Sequence, residues 1–238
     1  MMSVMNKKLY NRNSMIILLF FPIAALLLYG KDLSKKEVHQ FGLVSDLESK
    51  NSSFYASIMS IKRHGNIGFG LLKNNNGFLL GCDGDFFIYK DKGIEKISSM
   101  TQKVSFAYIT QFKQTLLNQF KTEITEEDLN LYVLPYLEPT LVSIFQLSGS
   151  FSNLVLSDFD FNQQGKFTYD PLNLVNLNDI SGTIVGFIFP AGFMLPLKSN
   201  FVWFFVSNDE QKMGRVIRFK GDNLRLFYDS KKKIVIHL

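Results

Sequence analysis

Residues 67–97 read IGFGLLKNNNGFLLGCDGDFFIYKDKGIEKI. Short apolar runs at 67–73, 78–80, 86–90 and 94–97 are separated by Asn74-Asn75-Asn76-Gly77, Asp83-Gly84 and Asp91-Lys92-Gly93. Asn, Asp and Gly tolerate the positive φ angles that tight hairpin turns require. The stretch therefore predicts a meander of antiparallel strands. Residues 104–112, rich in β-branched and aromatic side chains, extend it by one more strand.

Upstream, Phe54, Ile58 and Ile61 fall at helical spacing within residues 53–63, with Gly65 placed to cap the helix. His64 sits at the helix end, where a capping role is the plain expectation. Downstream, Thr125 followed by Asp128 forms a capping-box pattern, opening a helix that Pro135 closes. The runs 141–147 and 151–156 predict a hairpin about Ser148-Gly149. Residues 158–178 are poorly patterned and predict a loop. Further strands are expected at 182–189, 201–207, 214–220, 224–228 and 234–237. The fold class is α+β, mainly antiparallel sheet in two halves (about 38–122 and 140–238) with a few helices.

Composition excludes less than it permits. The 238 residues are 46% hydrophobic and 20% charged, with 24 Phe, an ordinary mixture for a chain with a sizeable core. Net charge is +5, but Lys7, Lys8 and Arg12 lie in residues 1–30 with no acid beside them, leaving about +2 for the rest. That gives no case for nucleic-acid binding. Lys231-Lys232-Lys233 reads as a solvated hairpin turn. Cys82 is the single cysteine, so no intramolecular disulfide forms, and its Gly-Cys-Asp-Gly setting reads as an inert thiol. Residues 15–29, MIILLFFPIAALLLY, follow the basic flank in the manner of a secretory signal peptide or an uncleaved signal anchor. Residues 1–30 are thus expected to stand outside the domain at 31–238. The domain is expected to be secreted, periplasmic or anchored facing away from the cytoplasm.

Several landmarks then fall in one order. They are His64-Gly65-Asn66-Ile67-Gly68-Phe69-Gly70, Asn76-Gly77-Phe78, Phe86-Phe87-Ile88-Tyr89, Ser105-Phe106-Ala107 and Gly182-Thr183-Ile184-Val185-Gly186-Phe187-Ile188-Phe189-Pro190. In order and spacing, from about Val38 to the C-terminus, the sequence resembles the bacterial alpha-acetolactate decarboxylases. The resemblance implies their fold and a homodimer, and it raises the expectation of a C-terminal tail where this sequence stops at Leu238. It also implies their chemistry, conversion of 2-acetolactate to acetoin and CO2. There a divalent metal, usually zinc, acts as Lewis acid on substrate oxygens. Three His and a hairpin Glu complete that metal site, and an Arg contacts the substrate.

Carried over by position, the resemblance puts the two strand His at Val202 and Phe204 and the third His at Arg215. The hairpin Glu falls at Phe78 and the substrate Arg at Ser157. Val and Phe have no donor atom, and a guanidinium stays protonated. No metal or other cofactor is therefore expected. Apolar filling of the cleft is expected instead, with Arg215 paired to a carboxylate or turned to solvent. His39, His64 and His237 share no metal-ligand spacing. Asp158 with Asp160 reads as solvated loop acids, and Asp83 with Asp85 as turn residues. The expectation is a non-catalytic homologue acting as an envelope binding or interaction module, its partner unknown. Membrane contact is expected only through an uncleaved N-terminal segment. The alternative is an active decarboxylase. A different enzyme in the same cleft has no residue cluster to support it.

Overall fold

The computed structural model describes residues 36–49, 54–73, 77–91, 93–161, 167–193 and 201–238. The apolar run at 15–29 lies outside them. Among the described residues no helix is long and apolar enough to cross a membrane.

The first sheet holds β1 (Glu37–Phe41), β2 (Ala56–Ser57), β3 (Ile67–Leu72), β4 (Phe78–Cys82), β5 (Asp85–Lys90), β6 (Gly93–Lys96), β7 (Lys103–Thr110) and β14 (Lys233–His237). Its order is β14-β1-β7-β3-β4-β5-β6, with β2 beside β7. The expected meander is present, with its first turn outside the described residues and Asp83 and Asp91 in the left-handed region at φ 53° and 51°. Two helices border this sheet, α1 (Val44–Ser49) and α2 (Ile58–Lys62). Ser57 caps α2 by accepting from the Ser60 amide. Gly65 is not the cap that its position suggested: the helix ends at Arg63 in right-handed conformation. A Cβ at Gly65 would lie 2.2 Å from the Thr110 carbonyl, so glycine lets two backbones meet.

The second sheet contains β8 (Thr115–Phe120), β9 (Ile124–Thr125), β10 (Val142–Phe161), β11 (Phe167–Ile188), β12 (Phe201–Ser207) and β13 (Met213–Lys231). Strands β10, β11, β12 and β13 pair in sequence, and β10 also pairs with β13, which closes the four into a ring. The long strands correct three expectations. Ser148-Gly149 is no turn, because β10 runs through it paired to Thr183 and Gly182. The loop expected at 158–178 is largely strand, with Asp160 opposite Thr168. Residues 214–220 and 224–228 belong to one bent strand, with register shifts opposite β10.

Helix α3 (Glu126–Val133) has the expected capping box between Thr125 and Asp128 and passes into a 3-10 turn at Leu134–Tyr136. The two sheets exchange strands. β8 follows the first meander yet edges the second sheet, and β14 follows β13 yet pairs in parallel with β1. Lys231-Lys232-Lys233 is therefore a crossover and not a solvated hairpin. Lys231 is 1% exposed and donates to the Gln111 carbonyl (2.8 Å) and Asp229 Oδ2 (2.7 Å).

Strand alternation sorts the apolar side chains into three cores. Phe69, Phe78, Leu80 and Phe106 from the first sheet meet Ile144, Phe187, Val202 and Phe204 from the second. The opposite face of the first sheet packs Leu79, Phe86 and Ile109 against Ile58 and Ile61 of α2. The opposite face of the second packs Phe151, Trp203, Phe205 and Phe219 with Leu129 and Val133 of α3. Gly186 lies opposite Trp203, and a Cβ there would sit 2.1 Å from the indole, so that glycine makes room for the only tryptophan.

Candidate functional site

Two places carry chemistry-bearing positions. The first is the inter-sheet core. Phe204 on β12 is opposite Arg215 on β13, and Arg215 is opposite Ser157 on β10, so three of the singled-out positions occupy one rung. Val202 lies two residues along the same face of β12, opposite Phe187. Phe78 reaches the same core from the first sheet, its ring 4.7 Å from that of Phe204, with Phe69 5.1 Å from Phe204. Val202 and Phe204 are wholly buried and Phe78 nearly so. A divalent ion finds no donor among Val202, Phe204 and Phe78, and the packed rings leave it no cradle, so these residues do not fit a metal. Val202, Phe204 and Phe78 converge in one apolar cluster.

Arg215 is partly exposed and borders a cleft of about 510 Å3 shared with Glu126, Asn130, Leu134 and Trp203. Ser157 is fully buried and borders a second cleft of about 340 Å3, with Tyr89, Leu156, Gln211 and Met213. Asp83 does more than shape its turn: it accepts from Gln114 Nε2 (2.7 Å) and Gln146 Nε2 (2.8 Å), joining the meander to β10. Asp85 pairs with Lys96 at 2.8 Å. Asp158 and Asp160 lie within β10, and their side chains are outside the described part. The Cys82 thiol is buried, and that burial, followed by the charges of Asp83 and Asp85, pushes its ionisation well above the ordinary thiol range.

The second place is at the β1–β14 edge, where the structure gathers all three histidines, one from each of three distant segments. His39 and Phe41 alternate on one face of β1. His237 on β14 is opposite Phe41, which brings it beside His39. The end of α2 delivers His64 to the same spot. His39 Nδ1 is 3.0 Å from His237 Nε2, and the His39 and His64 rings are 4.5 Å apart. Phe41 stacks on His237 at 4.4 Å. His64 Nδ1 lies 2.9 Å from the Ser60 carbonyl, as expected of a helix-capping imidazole. His39 is 5% exposed, and its Nε2 has no hydrogen-bond partner among the described residues, with Glu37 Oε2 at 3.8 Å. Burial first, then the neighbouring His64 and His237, lower the His39 pKa to about 4, so this ring is neutral at neutral pH. Sequence spacing gave no sign of this cluster. The signal available was the i, i+2 placement of His39 with Phe41 and of Val235 with His237, and reading it required β1 to be recognised as the partner of β14.

Two packed, mainly antiparallel sheets with few helices make an α+β fold of the acetolactate decarboxylase type. The alpha-acetolactate decarboxylase family profile matches residues 38–238, and the chain belongs to that family. It is 21% identical to the alpha-acetolactate decarboxylase of Bacillus subtilis strain 168 over 169 residues, 68% of this chain and 65% of that protein. It is 24% identical to the enzyme of the same name from Bacillus licheniformis over 181 residues, 71% of this chain and 68% of that protein. The fold is similar to the crystal structure of the Bacillus subtilis enzyme, with TM-score 0.73 at 19% identity over 85% of this chain and 88% of that one. It is also similar to a Staphylococcus aureus protein of unknown function described as similar to alpha-acetolactate decarboxylase, with TM-score 0.70 at 22% identity over 84% and 88%.

Proposed function

We propose that this chain is a non-catalytic member of its family, a pseudoenzyme that keeps the decarboxylase fold as a binding or interaction module at the cell envelope. The observation that carries the reading is the Phe78–Phe204 contact, 4.7 Å between centroids, at positions where the resemblance puts a ligand Glu and a ligand His. Decarboxylation of a 2-hydroxy-3-oxo acid is accelerated by an electron-withdrawing centre on the carbonyl and hydroxyl oxygens while the carboxylate leaves. Valine and phenylalanine supply neither a ligand nor a charge. The cleft bordered by Ser157 and Met213 remains a place where a small molecule or a loop could bind without being turned over. The basic flank at Lys7, Lys8 and Arg12 before the apolar run at 15–29 supports the envelope location, as a cleaved signal or as an anchor. Family resemblance supports a homodimer.

The test is acetoin release from 2-acetolactate by the purified chain supplied with zinc, cobalt or manganese, beside an active family member. The expected result is acetoin at the no-protein level. Metal-dependent acetoin above that level, saturating with substrate, would establish the alternative, an active decarboxylase.

A further inference from the structure

We propose that His39, His64 and His237 form a binding site for one divalent transition-metal ion, with zinc as the best fit to its donors. The site is separate from the inter-sheet core and does not depend on whether the chain is catalytic.

The geometry suits such an ion. One nitrogen from each ring lies within 4.8 Å of the other two, and two of them are 3.0 Å apart. Donors around a tetrahedral zinc with bonds of about 2.0–2.1 Å are roughly 3.3 Å apart, so modest turning of a ring completes the set. The outer contacts are those of metal-binding imidazoles. His64 can donate its Nδ1 proton to the Ser60 carbonyl, which directs the Nε2 lone pair inward. If His39 Nδ1 binds the ion, its Nε2–H points toward the Glu37 carboxylate at 3.8 Å. That carboxylate is itself held by Lys233 Nζ at 2.9 Å.

Without an ion the cluster is poorly satisfied. His39 and His237 can share a single proton across their 3.0 Å contact, while the buried His39 Nε2 has no hydrogen-bond partner among the described residues. A buried polar atom left so costs stability, and an ion on Nδ1 would fix the His39 proton on Nε2, the nitrogen that faces the Glu37 carboxylate. The donor set also selects the class of ion. Three imidazoles with no carboxylate or thiolate in the inner ring favour zinc, copper, nickel or cobalt over magnesium or calcium. Three protein ligands leave a fourth position for water or another small ligand. His64 and His237 are partly exposed, which gives the ion a way in. Once bound, it would tie the last strand, the first strand and the end of α2 to one point.

The experiment uses the full chain, stripped with a chelator and then titrated with Co2+. The expected outcome is one equivalent bound, with the visible absorption of tetrahedral cobalt, displaced by Zn2+. His64→Gln and His237→Gln are each expected to weaken binding at least tenfold, and Glu37→Gln to weaken it less. Zn2+ is expected to raise the Tm of the unaltered chain and not that of the His variants. No stoichiometric binding by the folded, unaltered chain would overturn the proposal. Binding that persists undiminished in both His variants would overturn it equally, by placing the ion elsewhere. Neither result bears on acetoin release, so this proposal and the assignment of a non-catalytic role fail independently.

Discussion

At the residue scale, Phe204 decides more than any other side chain. It is fully buried and touches Phe69 and Phe78, at a position where the resemblance puts a ligand His. Phe204→Ala removes a whole ring from the core between the sheets and is expected to cost about 3–5 kcal/mol, measured as a lower urea midpoint. A loss below about 1 kcal/mol would mean that the core collapses around the gap or is loosely filled. That Val202, Phe204 and Phe78 carry no donor atom was legible in the sequence, and the structure adds that they share one apolar core. The histidine cluster was not legible. His39 and His237 are 198 positions apart, and only a strand pairing brings them together. Lys231 misled for a related reason: a run of three lysines reads as solvated, and although Asp229 is only two residues away, the Gln111 carbonyl that completes the burial is 120 positions distant.

At the element scale, local chemistry succeeded where one turn or cap fixes the structure. The meander from β3 to β6 follows its Asn, Asp and Gly punctuation. The capping box of α3 has both its hydrogen bonds. Asp128 accepts the Thr125 amide at 2.9 Å, and this bond, with the one from the Thr125 hydroxyl, holds its carboxyl below the ordinary aspartate range. A depressed carboxyl stabilises the fold above its unfolded pKa of about 3.9 and loses that contribution as pH falls through the folded value. The protein should therefore lose some thermal stability on acidification below about pH 4, and Asp128→Asn should flatten that part of the profile. An unchanged slope of Tm against pH in the variant would refute the assignment. Local signals failed in β10, β11 and β13. Ser148-Gly149 resembles a turn, but β10 has β11 on one side and β13 on the other. Ladder hydrogen bonds along both edges override a two-residue preference.

At the scale of the whole molecule, the two sheets are joined by apolar packing and by a few polar links. Among them are Asp83 with Gln114 and Gln146, Lys231 with Asp229 and the Gln111 carbonyl, and Lys96 with Glu210. Asp229 Oδ2 also accepts the Lys113 amide at 2.8 Å, so removing the lysine disturbs the passage from β7 to β8 as well as the crossover. Lys231→Met is expected to destabilise the fold by about 2–3 kcal/mol, less than a fully enclosed pair would lose because Asp229 keeps some solvent. Equal urea midpoints for the variant and the unaltered chain would show that the link adds nothing. The pairing of β1 with β14 also bears on time. Glu37 faces Lys233 across 196 positions, so during synthesis β1 has to wait for almost the whole domain before its second neighbour exists. Contacts of such long range slow folding. Until β14 arrives, β1, an inner strand of the finished sheet, is itself the open edge, a hazard that a chaperone or a fast release from the ribosome would have to cover.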